Sequence, residues 1–275
     1  FYAPASFLTQ RGISVAEERT RQRDYGAQKM PILRPFLRTF FSTKCLGCPM
    51  ENADFGFCEV CQTHLGLRNG PRCTRCDRRF ESVSQDHACG QCLRKKPYFE
   101  SVHGLFQYYG PMGNALRRGK YSGIPDAISY VGKHCASHLP SALVQDPPRS
   151  IIPIPIHWKR VFQRGFDTPL ILSDTINTVL KCNVSKHQLK RIRHTKEQAG
   201  LNEDGRRRNV RGAFHFQGDA PNDVLLVDDV YTTGTTVREA SKVLRRAGCK
   251  RIRVLCAAYV DPRPLAGPII HGSTH

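Results

Sequence analysis

Acidic residues are scarce in this 275-residue chain: 23 Asp plus Glu stand against 42 Lys plus Arg, a formal net charge of +19 with a pI near 9.7. So one-sided a balance points to an anionic partner: nucleic acid, a phosphorylated substrate or an anionic surface. Long apolar runs are missing as well. No window holds the roughly 18 consecutive apolar residues of a transmembrane helix, which excludes membrane insertion by that route. No compact apolar stretch ending at a small-residue cleavage site stands at the N-terminus, so no secretory signal is expected. Few aromatics accompany the cationic clusters, so base stacking is not expected to dominate any nucleic-acid contact. Internal repeats are absent apart from paired cysteines. What remains, 40% hydrophobic and 24% charged residues, is the composition of a folded protein with one large domain or two small ones.

Cysteine is plentiful and unevenly placed. Eight of the twelve form four Cys-x-x-Cys pairs, Cys45/Cys48, Cys58/Cys61, Cys73/Cys76 and Cys89/Cys92. Two cysteines so spaced turn both sulfurs toward one ion, and two pairs complete a tetrahedral thiolate site. With no export signal, the spacing favours metal over disulfides. Successive pairing gives two structural zinc sites, Cys45, Cys48, Cys58, Cys61 and Cys73, Cys76, Cys89, Cys92; a cross-braced pairing of first with third and second with fourth is the competitor. An iron–sulfur cluster or redox dithiols are the other chemistries the pairs allow. His64 and His87 read as surface histidines, because the cysteines already complete two sets of four. Four thiolates leave no open position for a water, so the role is structural.

Residues 1–44 read as a basic arm leading into a short amphipathic helix, with Leu33, Phe36, Leu37, Phe40 and Phe41 at helical spacing. Residues 45–97 form the cysteine module, too small and polar for a core of its own. Residues 98–262 read as an α/β domain: a linking strand at Val102 to Tyr109, a helix from Asn114 to Lys120, a strand at Ile151 to Ile156, a helix from Asp167 to Leu180, a basic loop region from Lys186 to Arg211, a strand at Val224 to Val227, a helix from Thr235 to Ala247 stopped by Gly248, and a strand at Ile252 to Val260. Strands alternating with helices predict a mostly parallel sheet, with ligands beyond the carboxyl ends of its strands. Residues 263–275 are a tail.

The most informative stretch is Val224 to Thr236: a buried strand, then Asp228 and Asp229, then a small-residue loop opening a helix. A phosphate on Thr232, Thr233, Gly234, Thr235 and Thr236 would meet backbone N–H groups, threonine hydroxyls and the positive end of the helix. Gly234 permits a tight loop. The two acids stand at ribose distance. If the strand persists they point to opposite sides; a turn brings both to one sugar.

Val224 to Thr236 resembles the phosphoribosyl pyrophosphate (PRPP) motif of the type I phosphoribosyltransferases. Ile152-Pro153-Ile154-Pro155-Ile156-His157 with Arg160 and Arg164-Gly165-Phe166, and Thr195-x-x-Gln198-x-x-Leu201 continuing to Arg206, Asn209-Val210 and Gly212-Ala213-Phe214, are similar to segments of the ComF family of competence-associated proteins. So are Tyr109-Gly110-Pro111, Lys120-Tyr121 and the cysteine pairs. The chain departs where Asp167-Thr168 replaces the family's usual Asn-Gln and where Gly205 replaces an acid.

The resemblance implies a type I phosphoribosyltransferase-like sheet behind a double zinc ribbon. It implies PRPP with magnesium as ligand, the 5-phosphate on Thr232 to Thr236 and the ribose hydroxyls on the acids, which also favour positive charge at C1. His157, Lys159 and Arg160 would face the pyrophosphate, and Arg193, Lys196, Arg206 and Arg207 of a mobile segment would close over it. Magnesium would be held mainly by substrate oxygens and water. It further implies a bacterial, cytoplasmic protein of DNA uptake in natural transformation, working with competence proteins. No base-recognition hood is visible, so two readings stay open: phosphoribosyl transfer to an unidentified acceptor, or a single-stranded DNA binding module that uses the fold without transfer.

Overall fold

The computed structural model describes residues 43–52, 54–80, 85–193 and 210–261. The N-terminal arm, Lys196, Arg206, Arg207 and the C-terminal tail lie outside the described residues.

A short antiparallel ribbon, β1 (Thr43–Lys44) with β2 (Glu51–Asn52), precedes the helical turns α1 (Glu59–Thr63) and α2 (Gly90–Arg94). Then come β3 (Ser101–Gln107), α3 (Pro111–Ser122), α4 (Pro125–Ser137), α5 (Ser141–Gln145) and β4 (Ser150–Pro153). They are followed by α6 (Trp158–Arg164), α7 (Thr168–Leu180), β5 (Asn183–Val184), β6 (Leu189–Arg191) and β7 (Phe214–Phe216). The last elements are β8 (Asp223–Tyr231), α8 (Thr235–Arg246) and β9 (Arg251–Tyr259). The main sheet has the order β3-β9-β8-β4-β5 and is parallel throughout, while β6 and β7 form a separate antiparallel pair.

Period-2 alternation explains how β8 serves both faces of this sheet. Leu225 and Val227 join a core with Leu116 of α3, Ile128 of α4 and Leu172 of α7. Val224 and Leu226 join a second core with Val237 and Leu244 of α8. A parallel strand covered on both faces reads as a continuous apolar run, and Val224 to Val227 is such a run. The first cysteine module has no separate core: Cys45, Leu46, Phe57 and Cys61 pack into the cluster that holds Met112 and Leu116.

Two departures from the sequence reading, both at strand ends, shape the site. The strand expected over Ile151 to Ile156 stops at Pro153, which frees residues 154–157 as a loop. The strand expected to end at Val227 runs on to Tyr231. Asp228 and Val230 stay in register with Cys256 and Ala258 of β9, so ladder pairing overrides the poor strand propensity of aspartate.

Candidate functional site

Strand β8 delivers Asp228, Asp229 and Tyr231 to the carboxyl end of the sheet, and the chain then turns through Thr232, Thr233 and Gly234 into α8. Gly234 has φ +71°, a left-handed conformation, and a Cβ there would lie 2.1 Å from the Tyr231 hydroxyl. Only glycine meets both conditions. The N-cap of α8 is Gly234, which has no side chain to offer the helix, so the first turn of α8 opens directly from this loop, where an anion would meet the positive end of the helix. Thr233 and Thr235 hydroxyls lie 2.9 Å apart beside it.

A cavity of about 370 Å³ opens over this turn. Asp228, Asp229, Thr232, Gly234, Thr235 and Thr236 line it together with Lys120, Arg160, Arg164 and Arg191. Tyr108, Tyr109 and Tyr121 complete the wall. Although the strand persists through the two acids, both reach this one cavity, because it lies at the strand's end rather than over a face.

The acids are not equivalent. Asp229 is ion-paired with Lys120 of α3 at 2.7 Å, both side chains being mostly buried. Asp228 accepts the Asp229 backbone N–H at 2.9 Å. Burial, and then the neighbouring charge of Asp229, push the Asp228 carboxyl up to about 8. Asp167 caps α7 by accepting the Leu170 N–H at 3.2 Å, and burial pushes it up to about 6. Burial and the nearby Arg160 lower the Arg191 guanidinium, so the cavity crowds cations as well as acids.

Of the expected pyrophosphate contacts, Arg160 lines the cavity. His157 is buried and caps α6, its Nδ1 accepting the Lys159 N–H at 3.3 Å. Lys159 extends over the Trp158 ring, with Nζ 5.7 Å from the ring centroid. Arg193 is exposed beyond β6. Lys120, Arg191 and the tyrosine wall were not assigned to the site from sequence. Lys120 stands 109 positions before Asp229, and only the packing of α3 against the strand ends brings them together.

Helix α6 departs from the expectation about aromatics. It buries none of its residues and is held by the His157 cap and by Gly165, at φ +80°, after its last turn. Trp158 and Phe162, one turn apart on it, are 64% and 87% exposed. Lys159, Arg160 and Arg164 interleave with them, and Arg164 lies 5.6 Å over the Tyr121 ring.

The cysteines assemble as successive pairs. Cys45, Cys48, Cys58 and Cys61 form one group and Cys73, Cys76, Cys89 and Cys92 the other, with sulfurs within 4.8 Å of one another in each. The cross-braced alternative is thereby set aside. In the first group Cys45 Sγ accepts the N–H groups of Gly47 and Cys58 at 3.3 and 3.2 Å. In the second, Cys73 Sγ accepts those of Cys76 and Cys89 at 3.5 and 3.2 Å. Despite burial, such bonds bring both leading thiols down to about 7, whereas burial pushes Cys48, Cys61, Cys76 and Cys92 up. Both donor sets fit structural zinc.

Residues 187–267 match the family described as "Phosphoribosyl transferase domain", and residues 36–93 match "Double zinc ribbon domain". Competence protein F of Haemophilus influenzae is 30% identical over 232 residues, covering 79% of this chain and 97% of that protein. DNA utilization protein YhgH of Escherichia coli O157:H7 is 28% identical over 212 residues, 76% of this chain and 92% of that protein. Among solved structures, purine phosphoribosyltransferase from Pyrococcus horikoshii Ot3 aligns with a TM-score of 0.32 at 17% identity, covering 48% of this chain and 83% of that one. Among the described residues no helix is long and apolar enough to cross a membrane.

Proposed function

The chain belongs to the competence protein F (ComF) family, and on that footing we propose that it binds PRPP with magnesium and serves DNA uptake in natural transformation. One observation carries the reading: two acids, a threonine-rich loop and the helix N-terminus it opens share one cavity with four cationic side chains. The loop amides and hydroxyls of residues 232–236 hold the 5-phosphate. Asp228, protonated at neutral pH, both donates to and accepts from a ribose hydroxyl. Asp229 accepts from the other, and its charge favours positive charge developing at C1 as pyrophosphate leaves. Arg160, Arg164 and Arg191 receive the pyrophosphate oxygens. Since Lys120 already occupies one oxygen of Asp229, the acids offer no all-protein cage. Magnesium bound with PRPP would be held mainly by substrate oxygens and water and would neutralise pyrophosphate charge.

Calorimetry tests this directly. PRPP with magnesium should release heat on the parent chain and none on the Asp228→Asn, Asp229→Asn double variant; equal binding by both removes the assignment. A screen of nucleobases and amines for PRPP-dependent pyrophosphate release then separates transfer from binding alone.

A second reading, binding of single-stranded DNA without transfer, is favoured by α6. Exposed aromatics interleaved with cations on a helix free of core duties suit stacked bases and their phosphates, and this helix supplies Arg160 and Arg164 to the same cavity. Both activities can reside in one chain. The names of the relatives, with their reference to competence and DNA utilization, agree with either.

A further inference from the structure

The second ribbon touches the sheet through a buried polar and aromatic chain of contacts that leads to the phosphate loop. It starts at Cys76, whose carbonyl accepts the Tyr259 hydroxyl at 3.2 Å. The next residue, Asp77, has φ +62°, a conformation rarely adopted by a residue with a side chain. Its carboxylate accepts the Gly104 N–H of β3 at 2.8 Å and is ion-paired with Arg68. The Arg68 guanidinium also donates to the Asp77 carbonyl at 2.8 Å and to Asp261 at 3.1 and 3.2 Å. It lies 3.9 Å over the Tyr259 ring. Tyr259 in turn stacks on Tyr231, with ring centroids 4.8 Å apart and planes 13° from parallel. Tyr231 ends directly beneath Gly234. All five side chains from Arg68 to Asp261 in this chain are at least nine-tenths buried.

This assembly is too closely fitted to move piecemeal. A Cβ on Gly104 would come within 2.7 Å of Tyr259 Cβ and 3.2 Å of Arg68 Nη1. Interiors packed to this degree transmit displacement rather than absorb it. If the ribbon opens around Cys76, the hydroxyl anchor of Tyr259 and the acid partner of Arg68 both shift, and the ring under Gly234 loses its backing.

We propose that the second ribbon positions the phosphate loop through Tyr259 and Tyr231, so that sugar-phosphate binding and metal retention at Cys73, Cys76, Cys89 and Cys92 favour each other. The proposal rests on the sugar-phosphate reading of the loop. Both tyrosines are positioning residues; neither is asked to touch the ligand. Linkage makes the coupling reciprocal: the factor by which an intact ribbon tightens phosphate binding is the factor by which bound phosphate protects the ribbon.

The test uses the zinc-loaded full chain with ribose 5-phosphate as probe. Affinity is measured by calorimetry. Ribbon opening is followed by timed N-ethylmaleimide alkylation in the presence of a chelator, with mass spectrometry of the peptides carrying Cys73 and Cys76 or Cys45 and Cys48. Saturating ribose 5-phosphate should slow labelling of Cys73 and Cys76 about fivefold or more, beyond any slowing at Cys45 and Cys48. Tyr259→Phe keeps the ring and loses the hydroxyl anchor, and should erase that excess. Gly234→Ala, whose Cβ displaces Tyr231, should speed labelling of Cys73 and Cys76 with no ligand present. Equal protection of both ribbons by a ligand that binds overturns the coupling and leaves the sugar-phosphate reading intact. An excess that survives Tyr259→Phe, or a Gly234→Ala chain labelled at the parent rate, overturns it as well. No heat with ribose 5-phosphate overturns the sugar-phosphate reading and the coupling together.

Discussion

Asp228 keeps a proton at neutral pH that an exposed aspartate would have lost, and this has a cost in stability that can be measured. Its carboxyl titrates near 8 in the folded chain and near 4 when unfolded. Between those values the native state binds the proton and the unfolded state does not, so this group's contribution falls as pH rises through the window. Asp228→Asn removes the dependence. Its stability relative to the parent should be close to equal near pH 4, improve up to about pH 8 and level off above, by up to about 5 kcal/mol. Urea denaturation at pH 5 and pH 9 reads this, and a relative stability that does not change with pH rejects it. Lys120 and Asp229 give a second residue-scale prediction. A double-mutant cycle with Lys120→Met and Asp229→Asn should yield a coupling of about 1 kcal/mol, shrinking in high salt. A coupling of zero would mean that the 2.7 Å pair holds nothing in place.

Among the helices of the described residues, α6 is distinguished by having no buried residue. Replacing its aromatics should therefore leave the fold alone. Trp158→Ala with Phe162→Ala should shift the melting temperature by no more than about 2 °C, consistent with exposed sites. The same change should weaken single-stranded DNA binding by about 1–3 kcal/mol for each base that stacks there; undiminished binding measured by fluorescence anisotropy would clear α6 of that role. Helix α3 does the opposite work and joins parts: Asn114 Nδ2 donates to the Gly47 carbonyl at 2.6 Å, Arg118 holds the carbonyls of Cys45 and Cys48, and Lys120 holds Asp229. Legibility in the sequence follows the same division. Val224 to Thr236 was readable because its strand, acids, loop and helix are contiguous and each has a local physical signature. The cysteine pairs were readable from spacing alone, though spacing left their partners open until the sulfurs were placed. Lys120 is not assignable to the site, nor is Arg68 assignable to Asp261, since the partners stand 109 and 193 positions apart and a lone basic residue carries no signal of its partner. The true end of β8 was hidden because Asp228 and Asp229 have the propensities of a loop, and only β9 alongside holds them extended.

For the molecule as a whole, two four-thiol groups imply two metal ions with unequal structural weight. Purified protein should carry about two zinc ions per chain by elemental analysis, as two complete thiolate sets require; none, with disulfides in their place, would overturn the assignment. Cysteines of the first ribbon sit in the core shared with Met112 and Leu116, whereas those of the second cluster among themselves with Phe80. Cys61→Ser should accordingly lower the melting temperature more than Cys92→Ser, a comparison that differential scanning fluorimetry makes directly. The sheet order has a further consequence, for the sequence of events during synthesis. β9 lies between β3 and β8, and in the main sheet β3 pairs with β9, its other edge meeting only the short stretch around Leu67 among the described residues. A ribosome-bound chain that has emerged only as far as β8 thus holds two unjoined strand edges and an Arg68 still waiting for Asp261. Until the final strand slides into the middle, the longest-range contacts of the fold are unmade, which is the circumstance in which chains fold slowly and associate with one another. In this protein the cysteine-bound segments, complete long before that moment, are the parts able to take up metal first.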